Sequence, residues 1–348
     1  MGDLLERLIF LVIGLAWAWL WCITIVVRLI LTGPKKLFYK KVSTAPPARL
    51  SDPAYGQHNF INIGPIKLHY VASGPSEAPL MLLLHGFPEI WYSWRYQIKE
   101  FQKDFRVVAV DMRGYGESDR PQGVQQYRMP LLVEDVRLLI EALGFKSCVL
   151  VSHDWGGAVA YAFAAAHPEM VERLVVMNIP PVGIWRDGFT DPSKPVQFLA
   201  SGYIYEFLLP YFPEFHASLE DLKFLEMAYI GKKFGVRSGL MTEEDVECYK
   251  YYFRQPGAMT AGINYYRANL GVPPYRHPLK YPMPVKIIWG CQDSAVTLTL
   301  LEDTIKAIPH ADVTRIEESS HWVQMDQPEK VCQSIRQFLQ ATGYNASK

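Results

Sequence analysis

Polar and apolar positions follow three regimes along this chain. The first is one apolar stretch, residues 8–27, closed by Arg28. At ~1.5 Å rise per residue, a helix of that length matches a bilayer core ~30 Å thick. The second regime starts near Gly56, where short Val-, Ile- and Leu-rich runs alternate with segments of helical apolar spacing. The runs predict strands over 67–72, 80–84, 106–111, 147–151, 174–177, 285–289 and 313–316. The helical spacing predicts helices over 90–101, 131–143, 158–166, 298–307 and 329–339. Buried runs between amphipathic helices imply a mostly parallel sheet covered on both faces.

The third regime, about 181–278, breaks this rhythm. It is dense in Tyr, Phe and Pro and is helical where it is regular. Between two sheet strands, such an insertion is expected to cap the C-terminal edge of the sheet, where open α/β sheets bind ligands. A plain extra helical subdomain is the competing reading. The expected organisation is a membrane anchor over 1–32, a Lys- and Pro-rich linker over 33–55, and an α/β domain over 56–348 carrying the cap.

A cleaved signal peptide would also give an apolar N-terminus, but with a shorter core and a basic start. Here the start carries Asp3, Glu6 and Arg7, which favours an uncleaved single-pass anchor. Lys35, Lys36, Lys40, Lys41 and Arg49 follow the run, against Arg7 before it. The positive-inside rule then puts the catalytic part in the cytosol, with the endoplasmic reticulum as the usual home of such anchors. The sequon Asn345-Ala346-Ser347 points weakly to the opposite orientation.

Composition narrows the function. The chain has 348 residues, 49% hydrophobic, with 35 Lys and Arg against 35 Asp and Glu. A zero formal charge offers no surplus cations for nucleic acid. Five scattered cysteines without a C-x-x-C pair suggest neither a disulfide framework nor a zinc site.

The chemistry centres on Ser152-His153-Asp154-Trp155-Gly156-Gly157, between a strand and a helix. This is the shape of a nucleophile elbow, whose tip normally presents serine. Here the tip is Asp154, while Ser152 stands at a position that needs a small neighbour. A carboxylate of ordinary pKa ~3.9 is ionised at neutral pH and needs no base to act as a nucleophile. It can displace a leaving group from sp3 carbon and form an ester. Hydrolysing that ester then requires a base, an orienting acid and an oxyanion hole. His321 and Asp293 stand after the last two strands, and the order Asp154, Asp293, His321 matches the α/β-hydrolase order. His85-Gly86-Phe87-Pro88 follows the strand over 80–84, so the N–H groups of Phe87 and Trp155 are expected to form the hole. His85, Pro88, Trp155 and Trp322 are expected to line the substrate pocket.

HGFPE, DMRGYGESDRP, SHDWGG, the GCQD loop and SSHWVQMDQPE together resemble the epoxide hydrolases of the α/β-hydrolase superfamily. The likeness runs from about residue 58 to the C-terminus and is nearest to the membrane-anchored 3 and 4 group. Ser152 and Ser320 depart from it, since the family commonly has glycine at both. The resemblance implies hydrolysis of epoxides to vicinal diols, with no metal or organic cofactor, and the aromatic cap beside a membrane suggests lipophilic epoxides, fatty-acid epoxides among them. It also implies two cap tyrosines that protonate the epoxide oxygen. Asn264-Tyr265-Tyr266-Arg267 matches the cap motif and assigns Tyr266. Ser201-Gly202-Tyr203-Ile204-Tyr205 matches more loosely and assigns Tyr203, with Tyr205 as the alternative.

A haloalkane dehalogenase would use the same Asp-His-Asp set and is the nearest rival. The Tyr266 motif, and the lack of a second halide donor after His85-Gly86, favour the epoxide. A lipase would want serine at position 154. A non-catalytic membrane-bound binding protein is the reading from a different class, and the intact set of residues argues against it.

Overall fold

The computed structural model describes residues 2–42, 45–271 and 275–344; the sequon at 345–347 lies outside them. Eight strands form one sheet: β1 (Gln57–Ile63), β2 (Ile66–Ser73), β3 (Leu80–Leu84), β4 (Arg106–Val110), β5 (Cys148–His153), β6 (Val171–Met177), β7 (Val285–Gly290) and β8 (Asp312–Ile316). Their order is β1-β2-β4-β3-β5-β6-β7-β8. β2 runs antiparallel to β1 and β4, and every other pairing is parallel. β3, β5 and β7 are buried along their whole length, which is why they read as unbroken apolar runs. β1 went unanticipated because it is an edge strand. Gln57, His58, Phe60 and Asn62 are exposed and polar residues interrupt the strand, so no apolar run marks it.

Helices α3 (Arg95–Phe101), α4 (Met129–Ala142), α5 (Trp155–Ala166), α12 (Leu298–Ala307), α13 (Val323–Asp326) and α14 (Pro328–Ala341) belong to the α/β core. The helix expected over 90–101 divides: Trp91–Trp94 form a 3-10 turn before α3. Between β6 and β7 the chain is helical, with α6 (Val182–Thr190), α7 (Pro195–Ala200), α8 (Gly202–Phe207), α9 (Phe212–Tyr229), α10 (Glu243–Phe253) and α11 (Ala258–Asn269). In α9, Leu219–Leu222 leave helical geometry and divide it in two. This insertion is stitched to the core by side chains. Tyr229 donates to the Pro88 carbonyl at 2.9 Å, Tyr265 to that of Arg113 at 2.8 Å, and Tyr92 to the Asp245 carboxylate at 2.8 Å.

Two helices precede the sheet, α1 (Gly2–Thr32) and α2 (Pro34–Leu37). Within α1, Leu4–Thr32 is long and apolar enough to cross a membrane. The stretch expected to be a linker is instead strapped onto the cap. Leu37 and Leu50 are fully buried, Lys41 pairs with Glu247 at 3.0 Å, and Arg49 reaches Asp245 at 2.8 Å. Charge pairing with α10, invisible in composition, holds it there.

Candidate active site

Asp154 sits between β5 and α5 with φ 47° and ψ −126°, a conformation L-residues rarely adopt and the geometry of a nucleophile elbow. Small neighbours make the turn possible. A β-carbon on Gly156 would stand 2.2 Å from the Leu84 carbonyl oxygen, and one on Gly157 2.4 Å from Ile179. Ser152 is buried and donates to the Val175 carbonyl at 3.0 Å, so its hydroxyl is committed to the sheet.

The two oxygens of Asp154 have different partners. Oδ1 accepts the Phe87 N–H at 2.8 Å, the expected oxyanion-loop donor. Oδ2 lies 3.6 Å from His321 Nε2. The Trp155 N–H makes no hydrogen bond among the described residues, so the Phe87 half of the hole alone is engaged. His321 Nδ1 is 2.7 Å from Asp293 Oδ2. Asp293 is itself held: its Oδ1 accepts the Ala295 and Val296 N–H groups, each at 2.8 Å, and its Oδ2 accepts Asn178 at 2.8 Å. Asp154, Asp293 and His321 thus meet at the C-terminal ends of β5, β7 and β8.

Burial alone would raise the Asp154 carboxyl, but His321, His153 and the Phe87 N–H hold it below the usual carboxylate range. Burial would likewise lower His321, yet the charges of Asp293 and Asp154 push it up to about 10. In the resting site this makes a carboxylate beside an imidazolium.

The cap supplies the phenols. Tyr203 on α8 and Tyr266 on α11 stand edge to face with centroids 6.0 Å apart, and Tyr266 meets the Trp155 indole at 5.0 Å. Burial, reinforced by the Asp154 charge, pushes both phenols well above 10, so both keep their protons. Arg267 ties α11 to the end of α8, donating to the Phe207 carbonyl at 3.0 Å and pairing with Glu214 at 2.6 Å. Tyr205, the alternative, lies elsewhere. It points away, donates to the Phe189 carbonyl at 2.9 Å and packs on Phe10 of α1.

Of the expected pocket residues, His85 does not line the pocket. It is fully buried, with Nδ1 2.8 Å from the Gly86 carbonyl and Nε2 accepting the Met112 N–H at 3.1 Å. Both ring nitrogens are committed to shaping the loop. Pro88 follows Phe87 through a cis bond and gives its carbonyl to Tyr229. Trp155 is buried under Tyr265 and Tyr266, and Trp322 stands edge-on to His321 at 4.8 Å. The Trp322 indole N–H is committed to the Ala228 and Phe234 carbonyls at 2.6 and 3.0 Å, so it braces the histidine. Phe87, unexpectedly, presents its ring to the cap, amid Phe207, Phe224, Phe253 and Tyr266.

Two residues inside the quoted motifs carry the assembly and were not singled out. Glu89 accepts the Gly86 N–H at 2.9 Å, His153 Nδ1–H at 2.5 Å and Gln324 at 2.8 Å. His153 Nε2 lies 2.8 Å from the His321 carbonyl. One carboxylate therefore joins the oxyanion loop, the elbow and the histidine loop. The available signal was an ionisable side chain inside each of the HGFPE and SHDWGG motifs, next to otherwise apolar strands.

Among the described residues, His58, His69 and Glu117 alone bring three potential metal-ligating atoms together. Hydrogen bonds account for the imidazoles: His58 Nδ1 lies 2.9 Å from His69 Nε2, His58 Nε2 2.8 Å from the Leu50 carbonyl, and His69 Nδ1 2.7 Å from Asp111.

Residues 79–328 match the family model described as alpha/beta hydrolase fold. The chain is 42% identical to human "Epoxide hydrolase 4", over 88% of its length and 85% of that protein. It is 40% identical to "Epoxide hydrolase 3" of Xenopus tropicalis, over 90% of the chain and 86% of that protein. Among solved structures, the Bacillus megaterium epoxide hydrolase in complex with an inhibitor superposes with a TM-score of 0.73 at 33% identity. That match covers 81% of this chain and 100% of the other. The carboxylate elbow, the histidine aimed at it and these likenesses agree: the chain belongs to the epoxide hydrolases of the α/β-hydrolase fold and is an epoxide hydrolase.

Proposed function

We propose that this enzyme opens epoxides through a covalent ester on Asp154. Oδ2, the oxygen that Phe87 leaves free, attacks an epoxide carbon. The ring C–O bond breaks, and Tyr203 and Tyr266 protonate the departing oxygen. Ester formation removes one of the two charges that keep His321 protonated. The imidazolium then gives up its proton, which restores the phenol from the phenolate left by that transfer, and becomes a base. Neutral His321, oriented by Asp293, takes a proton from water as the hydroxide adds to the ester carbonyl. The negative charge builds on Oδ1 against the Phe87 N–H, with the Trp155 N–H as second donor. Collapse breaks the bond from the carbonyl carbon to Oδ2; the alkoxide takes the proton held by His321 and leaves as a vicinal diol carrying Oδ2, and the new carboxyl returns a proton to His321. The carboxylate returns with an oxygen from water.

One observation carries this reading: Phe87 binds Oδ1 of Asp154 at 2.8 Å while Oδ2 faces His321 at 3.6 Å. The aromatic surroundings of Phe87 favour lipophilic substrates, fatty-acid epoxides included. We further infer that α1 attaches the enzyme to the endoplasmic reticulum membrane with the catalytic domain on the cytosolic side. Exposed Lys35, Lys36 and Lys40 support that side, because the cytosolic leaflet is anionic. Lys41 and Arg49 add less, being paired with cap carboxylates. The full-length enzyme should convert fatty-acid epoxides to diols and release no chloride from chloroalkanes. Chloride without diol would make it a dehalogenase, and epoxide bound but unchanged would make it a binding protein.

A further inference from the structure

A helix that is apolar all round must be covered on every side. In α1 the cover differs by face. One stripe lies on the cap along nearly the whole helix. Glu6 pairs with Arg186 at 2.6 Å near its start, and Arg28 with Glu220 at 2.6 Å near its end. Between them Phe10 stands edge-on to Tyr205 at 5.4 Å, and Trp21 meets the His216 ring at 4.8 Å. The crossing point is built from glycine on both sides. A β-carbon on Gly14 of α1 would stand 2.7 Å from the Tyr205 carbonyl oxygen, and one on Gly202 of α8 2.5 Å from the Trp17 ring. Paired small residues let two backbones approach closely.

From Glu6 to Arg28 this contact runs roughly 33 Å at ~1.5 Å per residue, as long as the hydrocarbon core is thick. A helix crossing the bilayer in this pose would draw the cap in beside it. The His216–Glu206 pair and the Arg267–Glu214 pair would then lie at hydrocarbon depth, where charge is costly. Among the described residues, none covers the opposite face of α1. Val12, Leu15, Trp19 and Val26 are exposed there at 65%, 54%, 65% and 52%. Just beyond the helix, exposed Phe38, Tyr39 and Val42 alternate with Lys35, Lys36 and Lys40, the mixture that suits a headgroup layer. On cap elements flanking α8, Val196, Leu199, Tyr211 and Phe215 are exposed as well.

We propose that α1 lies in the plane of the membrane as an outer edge of the cap, its free face sunk into one leaflet, and does not cross the bilayer. The proposal rests on the membrane attachment inferred above. It places α8, which carries Tyr203, directly behind the lipid-facing helix, so that a lipid-dissolved epoxide meets the cap without leaving the leaflet.

Val12, Trp19 and Val26 recur every seven residues, on one side of the helix. The test places single cysteines there in full-length enzyme lacking Cys22 and Cys291, each labelled with an environment-sensitive fluorophore. The enzyme is reconstituted in phosphatidylcholine vesicles containing phosphatidylserine. Quenching is compared between lipids brominated near the headgroup end and near the chain terminus. The in-plane helix predicts one common depth for the three labels. It also predicts that external protease removes an N-terminal epitope tag from the same vesicles in which it cuts the catalytic domain. A label at Trp19 deeper than those at Val12 and Val26, with the tag protected while the catalytic domain is cut, would overturn the in-plane helix and keep the membrane reading. Absence of lipid quenching at all three positions would overturn both.

Discussion

The N–H of Phe87 donates to Oδ1 of Asp154 at 2.8 Å, so the oxyanion loop holds one oxygen of the nucleophile before any substrate arrives. Gly86 makes that approach possible. A β-carbon there would stand 2.3 Å from Oδ1 and 2.4 Å from the Asp154 β-carbon. Gly86→Ala is expected to push the carboxylate out of line and lower kcat/KM by about 10²-fold, the cost of a misplacement near 1 Å. Melting temperature and circular dichroism should change little by comparison. Undiminished turnover would show that the Phe87 contact is dispensable.

The phenols should share the work of protonation. Tyr266→Phe leaves Tyr203 in place and should slow ester formation by about 10²-fold or less, within the usual ~10²–10⁴ range for proton donation. The Tyr203→Phe, Tyr266→Phe double variant should turn over almost nothing. Tyr205→Phe removes only the hydrogen bond to the Phe189 carbonyl and should cost about 1 kcal/mol of stability with turnover kept. Single-turnover rates and melting curves decide it. Full activity in the double variant would remove the cap tyrosines from the mechanism.

His321 carries a pH signature. Burial opposes its charge, but Asp293 and Asp154 outweigh burial and raise it to about 10, above the ordinary ~6.5. A raised folded pKa gives stability that is complete below ~6.5 and is lost as pH climbs toward about 10. Asp154→Ala removes one of the two charges, so its His321 should lose the proton at lower pH. The melting-temperature advantage of the wild type over this variant should therefore narrow between pH 6.5 and 10. A gap constant across that window would mean that Asp154 and His321 are not coupled.

The oxygen assignment has an isotopic consequence. In a single turnover in ¹⁸O-water, the diol should carry Oδ2 of the enzyme, unlabelled, and the Asp154 carboxyl should take up the label. A labelled first-turnover diol with an unlabelled enzyme would mean that water attacks the epoxide directly.

Much of this site was legible in the chain because its key residues lie at strand ends. Apolar runs over 80–84, 147–151 and 285–289 located β3, β5 and β7 closely, and Phe87, Asp154 and Asp293 follow them. Residues that work through several partners were harder to see. His85 reads as a pocket residue in the sequence, but its Nδ1 is committed to the Gly86 carbonyl and its Nε2 to the Met112 N–H beyond β4. Glu89 matters because three separate segments reach it. Asn178 matters because it holds Asp293 at 2.8 Å from the end of a different strand. The choice between Tyr203 and Tyr205 could not be read from spacing, since two residues apart on a short helix they face opposite ways. One points toward Tyr266 and the other toward α1.

The central claim is that the reaction has two halves, with Asp154 performing the first and His321 needed only for the second. His321→Gln should therefore open a fatty-acid epoxide once and stall as the ester. Intact-mass spectrometry of that variant after incubation should show the protein heavier by one substrate molecule. Peptide mapping should place the adduct on Asp154, and Asp154→Ala should show neither adduct nor turnover. An adduct on Ser152, or an Asp154→Ala enzyme that still forms diol, would contradict the mechanism.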